Sequence, residues 1–249
     1  TPGMAVDPEV VTKIAGDQIM LASGFVDATE GPDARFFKPF DLAAVGFDLF
    51  VLDQFNQAIR KVSATGAVTT IAGLPNAALT MIDGDESTAR FGDMMALEAD
   101  GDGNLWVADF NPNTGDALLR KIAPRVRSGY DVTTYAGGSQ TYQDGPAASA
   151  RFYRLHGIAW DRDHSLYLGD SGEHMIRKLD LTTGVFSTVA GIQGQFGQVD
   201  GPGTSAKFWF PSGMAVDLDG NLLVCDTFGH AIRKVTFNAD GSTTVSTVA

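Results

Sequence analysis

The sequence predicts an all-β fold, a β-propeller of four-stranded antiparallel blades, on three observations. An Arg-Lys pair, an Asp and an Ala-Gly pair all recur along the chain with one period of about 57 residues. Each repeating unit contains four short runs rich in Val, Ile and Leu, separated by turns that contain Gly and Asp. No segment sustains a 3.6-residue apolar period, so few helices are expected. Four-stranded units that repeat radially are the blades of a propeller.

The three markers keep the same phase through the chain. The Arg-Lys pairs are Arg60-Lys61, Arg120-Lys121, Arg177-Lys178 and Arg233-Lys234. The acidic marker closes a short apolar run at Asp53, Asp109, Asp170 and Asp226. A Thr- and Val-rich run ends at Gly16, Gly73, Gly137 and Gly191. This agreement predicts one domain over residues 1–249, with full blades at about 36–73, 91–137, 152–191 and 208–249.

The first unit is incomplete, and it determines the expected number of blades. Its first residues, Pro2 to Asp7, match an innermost strand, and Val10 to Gly16 match an outermost one. Residues 1–16 therefore lack the two middle strands of a blade. Counting this incomplete blade with the four full ones, we expect five blades. Six blades, completed by a longer natural chain, are the alternative.

The last unit shows each predicted strand clearly. The four runs are Gly213 to Asp217, Asn221 to Asp226, Ala231 to Val235 and Thr243 to Ala249. The first two are joined through Asp219-Gly220, residue types that accept the backbone angles of a tight turn. Cys225 lies within the second run and alternates with Leu223, so we expect it to be a buried apolar side chain.

The connections between units repeat as well. An Asp-Gly pair is followed by Phe eight residues after the Asp, which gives the pairs Asp83 and Phe91, Asp144 and Phe152, and Asp200 and Phe208. A large apolar residue at a repeated position is expected to be a wedge buried between adjacent blades. An exposed aromatic that grips a ligand is the alternative, and it is less favoured because the copies would all bind equivalently.

The pattern from Phe208 to Val235 resembles the NHL repeat. It reads Phe-x-x-Pro-x-Gly-Met-Ala-Val-Asp-x-x-Gly-Asn-Leu-x-Val-x-Asp-x-x-x-His-x-Ile-Arg-Lys-Val. The resemblance covers nearly the whole chain, because four copies keep phase. It implies a propeller whose blades run outward from a central axis. It implies no particular activity, since one fold hosts many functions.

Composition excludes several classes of function. The 249-residue chain has 30 Asp and Glu residues against 18 Lys and Arg residues, a net charge of -12. This acidity opposes binding to nucleic acid, which needs clustered basic residues. No apolar run reaches the length of a membrane-spanning helix. Cys225 is the only cysteine, so an internal disulfide is excluded.

Four acidic residues are candidate ligand-binding groups on the face that carries the long connections. Asp53, Asp109, Asp170 and Asp226 each end the second strand of a blade. Together they predict a ring of carboxylates that could hold a cation or a basic partner. The structural alternative is that each pairs with the Arg of its own unit, and the regular repetition favours this alternative.

Three histidines are further candidates on the same face. His174 and His230 occupy one repeat position, where NHL repeats commonly carry His, so a structural role is favoured for them. His156 breaks the repeat just before an innermost strand and is the best single candidate. Some NHL-like propellers are zinc-dependent lyases with His ligands from successive blades. The equivalent positions of the other blades hold Asp41, Asp93 or Met94, and Ser212, so three histidines are lacking.

These observations predict a non-catalytic binding scaffold that presents its loop face to a protein or glycan partner. The alternative is a metal-dependent propeller hydrolase or lyase with its site at the mouth of the central axis. The scaffold needs no cofactor, whereas the alternative takes Ca or Zn in the central channel. The acidic composition with a single cysteine resembles exported proteins. We therefore expect a secreted, cell-surface or periplasmic location, with the propeller as one module of a longer chain.

Overall fold

The structure is a computed structural model, and it describes residues 12–16, 23–75, 79–139 and 141–249. Strands dominate these residues, as short apolar runs separated by tight turns predict. The described helical segments are two single turns of 3-10 helix, Gly31–Asp33 and Gln54–Asn56. No helix in the described part of the chain is long and apolar enough to cross a membrane.

Four antiparallel sheets form four blades in chain order. Blade 1 contains β1 (Pro39–Val45), β2 (Asp48–Asp53), β3 (Ala58–Val62) and β4 (Val68–Gly73). Blade 2 contains β5 (Gly84–Asp85), β6 (Asp93–Ala99), β7 (Leu105–Phe110), β8 (Ala117–Pro124) and β9 (Tyr130–Gly138). Blade 3 contains β10 (Gly145–Pro146), β11 (Leu155–Trp160), β12 (Ser165–Asp170), β13 (Met175–Asp180) and β14 (Val185–Ala190). Blade 4 contains β15 (Gly201–Pro202), β16 (Pro211–Val216), β17 (Leu222–Asp226), β18 (Ala231–Phe237) and β19 (Thr243–Thr247).

The strands of each blade pair in sequence from the innermost to the outermost. In blades 2 to 4 the connection that precedes the blade adds a two-residue strand outside the outermost one, as β5 does on β9. The innermost strands β1, β6, β11 and β16 contact one another in that order. Residues from all four innermost strands line one cavity of about 530 Å³, including Ala44, Ala99, Trp160 and Val216. The blades therefore radiate from a common axis.

The repeated Phe residues lie between the blades, so the predicted wedge is confirmed. Phe91, Phe152 and Phe208 are fully buried, and so is the Ala two residues before each of them. The ring of Phe152 packs on Phe186, with the centroids 5.2 Å apart. Since each wedge belongs to a connection between two blades, it contributes apolar burial to the junction that the connection crosses.

The number of blades differs from the sequence prediction. The all-β propeller is observed, but the described residues form four blades, so the expectation of five, or alternatively six, is wrong. The predicted incomplete blade covers residues 1–16, of which 1–11 lie outside the described residues. The remainder, 12–16, forms no strand. A blade needs paired middle strands, and this segment is too short to supply them. The single domain over 1–249 stays a prediction.

Candidate functional site

The loop face of the propeller is the end where each connection reaches an innermost strand and where the second strand turns into the third. The four Asp residues that end the second strands lie here, and all are buried. Each is paired with the Arg of the adjacent third strand. The pairs are Asp53–Arg60 at 3.0 Å, Asp109–Arg120 at 2.9 Å, Asp170–Arg177 at 3.6 Å and Asp226–Arg233 at 2.9 Å. Buried charges need such partners.

Each Arg also donates hydrogen bonds to the connection that precedes its blade, as Arg120 shows. Its Nη2 donates to Asp83 Oδ1 at 2.9 Å and to the Ile82 carbonyl at 3.0 Å. Its Nη1 donates to the Arg90 carbonyl at 3.2 Å. Corresponding pairs are Arg60 with Asp27, Arg177 with Asp144, and Arg233 with Asp200. Burial raises the pKa of Asp109, and the Arg120 charge opposes that rise.

The same Asp residues also hold the backbone of the loop face. Asp53 accepts the Phe37 N–H at 2.7 Å, and Asp226 accepts the Trp209 N–H at 2.5 Å. Asp170 accepts the Tyr153 N–H at 3.2 Å. Tyr153 and Trp209 directly follow a wedge Phe in the sequence, and Phe37 follows the half-buried Phe36 at the corresponding position. The wedge and the carboxylate therefore fix an aromatic residue on the loop face in three blades, while blade 2 has Gly92 at this position.

The side chains fixed in this way and three further exposed aromatic side chains of the loop face stand in separate groups, and we call them together the aromatic face. It consists of Phe37, Phe55, Tyr153, Phe196, Trp209 and Phe228, which are between 41% and 59% exposed. The residue held by each Asp packs on the turn two residues beyond that Asp. Phe37 meets Phe55 edge to face at 5.0 Å, and Trp209 meets Phe228 at 6.0 Å. Tyr153 instead lies against Gly172, where a Cβ would come within 2.2 Å of its ring.

His156 lies beside this face with a defined proton arrangement. Ser171 Oγ donates to the Arg154 carbonyl at 3.0 Å and is 2.6 Å from His156 Nδ1. Because the carbonyl only accepts, the Ser171 hydroxyl proton is used there, and His156 Nδ1–H donates to Ser171. The neutral imidazole then has a free lone pair on Nε2. Its ring packs on Phe210, 4.6 Å between centroids.

Phe210 joins His156 to His174. Its backbone N–H donates to His174 Nδ1 at 3.2 Å, so His174 carries its proton on Nε2. Burial lowers the pKa of His174, which agrees with a neutral ring. Phe210 has a φ of 65°, a left-handed conformation that is strained for a bulky residue. Such strain is concentrated at functional sites, and Phe210 also contacts Phe228 of the aromatic face at 4.9 Å.

Polar groups from three blades meet at the central mouth next to His156. Gln54 Nε2 donates to Asp93 Oδ1 at 3.0 Å and to the carbonyl of Met94 at 2.9 Å, which ties blade 1 to blade 2. The Arg154 guanidinium of blade 3 lies 4.6 Å from the Phe110 ring centroid. Burial raises the pKa of Asp93, and the positive charge of Arg154 opposes this. The mouth therefore combines a carboxylate, an amide and a guanidinium.

The structure places the predicted site residues in two groups. His156 and His174 are brought together through Phe210, whereas each Asp is confined to its own blade by its Arg. His230 is exposed in the turn before β18 with a φ of 52°, matching His174 at 60°. Among the residues described, no three His, Cys, Asp or Glu are grouped to hold a metal ion. Ligand binding by the predicted residues and a central Ca or Zn site stay predictions.

Sequence reasoning missed the aromatic face, although a signal for it exists. The residue after the wedge Phe is aromatic in three of the four copies, namely Phe37, Tyr153 and Trp209. The exposed partners Phe55 and Phe228 likewise stand two residues after the strand-terminal Asp. The sequence argument used only the repeated wedge position, which is buried. It did not consider the position directly after the wedge, which is exposed.

The His156→Gln variant is expected to be less sensitive to acid than the wild type. Burial, together with the Arg154 charge, lowers the pKa of His156 from 6.5 to about 4. Below pH 6.5 the unfolded chain therefore binds a proton that the folded chain excludes. The stability that this group contributes is complete above pH 6.5 and is lost as the pH falls toward 4, by about 3 kcal/mol. Urea titrations at neutral and acidic pH measure this loss.

The control for this measurement is His164→Gln, which removes an exposed histidine at the opposite end of the propeller. The two variants are compared by the change in their free energy of unfolding between pH 7 and pH 4. Only the His156 variant is expected to show a smaller change than the wild type. An equal change in all three proteins contradicts the assignment of a neutral, buried His156.

Comparison with known proteins gives partial matches. No family model matches the chain. Over 95 residues it is 36% identical to Protein SUPPRESSOR OF QUENCHING 1 of Arabidopsis thaliana, which is 38% of this chain and 9% of that protein. Over 92 residues it is 33% identical to NHL repeat-containing protein 2 of Bos taurus, which is 36% of this chain and 13% of that protein. The chain thus spans about a tenth of the length of these curated relatives.

Solved structures share the architecture over most of this chain. A Bacteroides thetaiotaomicron protein of unknown function is 25% identical with a TM-score of 0.64, covering 83% of this chain and 47% of its own. Streptogramin B lyase is 11% identical with a TM-score of 0.53, covering 91% of this chain and 57% of its own, and shows the fold alone. The repeat, the four-stranded blades and the local similarity to NHL repeat-containing proteins together support an NHL-type β-propeller.

Proposed function

We propose that this propeller is a non-catalytic scaffold that binds a protein or glycan partner on its aromatic face. The observation that carries the proposal is the placement of exposed aromatic side chains in three of the four blades by a buried carboxylate. Exposed apolar side chains that contact one another, as Phe196, Trp209 and Phe228 do, mark interaction sites in soluble proteins. Here the backbone beneath them is fixed before any partner arrives, which reduces the entropy lost on binding.

The chemistry of the face suits both partner classes. Aromatic rings stack against the apolar side of a sugar ring as well as against apolar side chains, and Trp and Tyr are enriched where binding energy is concentrated. The polar groups beside the face supply orientation: the free Nε2 lone pair of His156 accepts a hydrogen bond, and the Arg154 guanidinium donates. Few polar groups around an apolar surface are typical of specific binding sites.

Trp209→Ala is expected to weaken binding of the partner at least about tenfold, because it removes a central ring that contacts both Phe196 and Phe228. The labelled chain is first screened on arrays of glycans and peptides. The affinity of each ligand found is then measured for the wild type and for Trp209→Ala by titration calorimetry.

The matched control is Phe47→Ala, which removes an exposed aromatic ring from the β1–β2 turn at the opposite end of the propeller. Its affinity is expected to equal that of the wild type. Equal weakening by both variants, or no effect of Trp209→Ala on any ligand, contradicts binding at the aromatic face. A location outside the cytoplasm and a longer parent chain are consistent with this function and stay predictions.

A further inference from the structure

The Arg154 side chain places a half-buried guanidinium at the central mouth, between blades 2 and 3. In the part of the chain that the structure describes, this guanidinium forms no ion pair, and its buried Nε donates to no acceptor. The Arg of each third strand is instead paired with two carboxylates, as Arg120 is with Asp83 and Asp109. A guanidinium removed from water needs acceptors for its five N–H donors. The donors of Arg154 are therefore available to a ligand.

The backbone from which this side chain extends is fixed. The Arg154 N–H donates to Asp170 Oδ1 at 3.0 Å, and the Arg154 carbonyl accepts hydrogen bonds from the Ser171 N–H at 2.9 Å and the Ser171 hydroxyl at 3.0 Å. The other oxygen of Asp170 holds Tyr153, the preceding residue, which belongs to the aromatic face. One buried carboxylate thus anchors a cation and an exposed ring at neighbouring positions. A group anchored in this way loses less entropy when it binds.

The repeat shows that the scaffold does not need an Arg at this position. The residue that follows the held aromatic residue, or Gly92 in blade 2, is Lys38, Asp93, Arg154 or Phe210 in the four blades. Burial raises the pKa of Asp93, and the positive charges of Arg154 and Lys38 both oppose that rise. Asp93 therefore faces two cations, and these three groups leave an excess of positive charge at the mouth of an acidic chain.

Two hydrogen-bond acceptors stand at the same mouth. His156 keeps a free lone pair on Nε2, because its Nδ1–H donates to Ser171. Burial, together with the Arg154 charge, lowers the pKa of His156 to about 4, so the ring is neutral at pH 7. Gln54 Oε1 is buried without a donor among the described residues, while Gln54 Nε2 donates to Asp93. A ligand suited to this mouth combines an anionic group with hydrogen-bond donors.

We propose that the mouth binds a uronic acid unit of an acidic glycan, with Arg154 on its carboxylate and His156 Nε2 accepting from one of its hydroxyls. The inference rests on the proposed binding of a partner at the loop face and names the class of that partner. The planar guanidinium matches a carboxylate with two parallel hydrogen bonds. A uronic acid carries hydroxyl donors on the same ring as its carboxylate, and its C–H face packs on aromatic rings. The side chain of Asp or Glu offers the carboxylate without these donors, which favours the sugar over an acidic peptide.

The test compares each acidic oligosaccharide with its own methyl ester, which keeps the ring and the hydroxyls but removes the negative charge. The probes are oligomers of galacturonate, oligomers of mannuronate and oligosaccharides of hyaluronan. Titration calorimetry at neutral pH is expected to show that the wild type binds at least one acid tighter than its ester by about tenfold or more. A wild type that binds no acid, or that binds acid and ester equally, overturns the proposal.

Arg154→Gln is expected to bind the acid and the ester with equal affinity, because the group that distinguishes them is lost. Arg154→Lys keeps the charge but lacks the planar fork, so its preference is expected to lie between those of Arg154→Gln and the wild type. The matched control is Arg127→Gln, which removes the same charge from an exposed turn between β8 and β9 at the opposite end of the propeller. It is expected to keep the wild-type preference, and an unchanged preference in Arg154→Gln contradicts the assignment. Circular dichroism and urea unfolding verify that each variant is folded.

His156→Phe tests the hydroxyl separately from the charge. The new ring keeps an aromatic group against Phe210 but has no acceptor. Because the acid and its ester carry the same hydroxyls, both are expected to bind more weakly to this variant, and the ratio of their affinities is expected to be that of the wild type. Unchanged affinities for both overturn the role of His156.

The outcomes separate this inference from the proposed function on which it rests. A neutral glycan or a peptide whose binding is weakened by Trp209→Ala, with no preference for any acid, keeps the aromatic face and overturns the uronic acid site. A peptide rich in Glu that binds as tightly as the best acid, with the same loss in Arg154→Gln, assigns the mouth to acidic peptides and overturns the sugar. If Trp209→Ala weakens no ligand while Arg154→Gln still removes the preference for acid, the aromatic face fails and the charged mouth stands.

Discussion

The Arg120→Met variant is expected to lower the free energy of unfolding by about 3–5 kcal/mol, the range for breaking a buried ion pair. The variant removes the charged partner of Asp109. Because Asp109 is buried, water cannot replace that partner. It also removes one hydrogen-bond donor from each of Asp83 and the carbonyls of Ile82 and Arg90. The loss is measured by urea unfolding followed by tryptophan fluorescence and circular dichroism.

The control is Arg125→Met in the same blade. Arg125 lies half-buried at the rim and donates to the exposed Asp131 at 2.7 Å, where solvent screens the pair. This variant is expected to change the free energy of unfolding far less than Arg120→Met does, because ion pairs at the surface contribute little. Arg120→Lys adds a second comparison: it keeps the charge but lacks the planar fork that reaches several acceptors, so it is expected to lie between Arg120→Met and the wild type. Similar losses for Arg120→Met and Arg125→Met would show that the buried Arg does not hold the blade together.

The features that could be predicted from sequence are those that every blade repeats. The strands and the Arg of each unit stand in four copies that keep one phase and the wedge in three, and a chance resemblance would not hold phase over so many copies. The pairing of Asp53 with Arg60 followed from the antiparallel second and third strands, because a buried carboxylate needs a charge of opposite sign nearby. Repetition thus reveals the requirements of the scaffold.

The number of blades could not be predicted in the same way. A count from strand signals treats Pro2 to Asp7 as a blade because it resembles Gly213 to Asp217. A strand becomes part of a blade only when its neighbours pair with it, and a strand signal by itself does not show that pairing. Cys225 is exposed, so the expectation that it is a buried apolar side chain is wrong. The cause is related: alternation gives the face of a side chain, but burial depends on what covers that face.

The candidate site depends on positions where the copies differ. Phe37, Gly92, Tyr153 and Trp209 occupy one backbone position held by one kind of hydrogen bond, and only the side chain varies. The proton arrangement of His156 was beyond sequence reasoning, because it depends on Ser171 and the Arg154 carbonyl meeting in space. The scaffold is shared by all four blades, whereas the exposed aromatic side chains belong to three of them. A propeller that binds a partner needs both.

Phe152→Ala is expected to lower the free energy of unfolding by about 3–5 kcal/mol, since it removes a fully buried ring and leaves a cavity between blades. The ring packs on Phe186 and lies 5.3 Å from the Arg177 guanidinium, so the change also removes an aromatic pair and a cation–π contact. Phe152→Leu, which keeps much of the volume, is expected to be less destabilising than Phe152→Ala. Denaturant unfolding of both variants tests this order.

Phe47→Ala is the control, because it removes an aromatic ring without removing a wedge. The Phe47 ring is exposed, so its loss leaves no cavity. It is expected to change the free energy of unfolding by no more than about 0.5 kcal/mol. If Phe152→Ala destabilises the chain no more than Phe47→Ala does, blade junctions take their stability from the strands alone. If the expected difference is found, the wedge both joins the blades and anchors the backbone of Tyr153, so stability and the aromatic face depend on the same short connection.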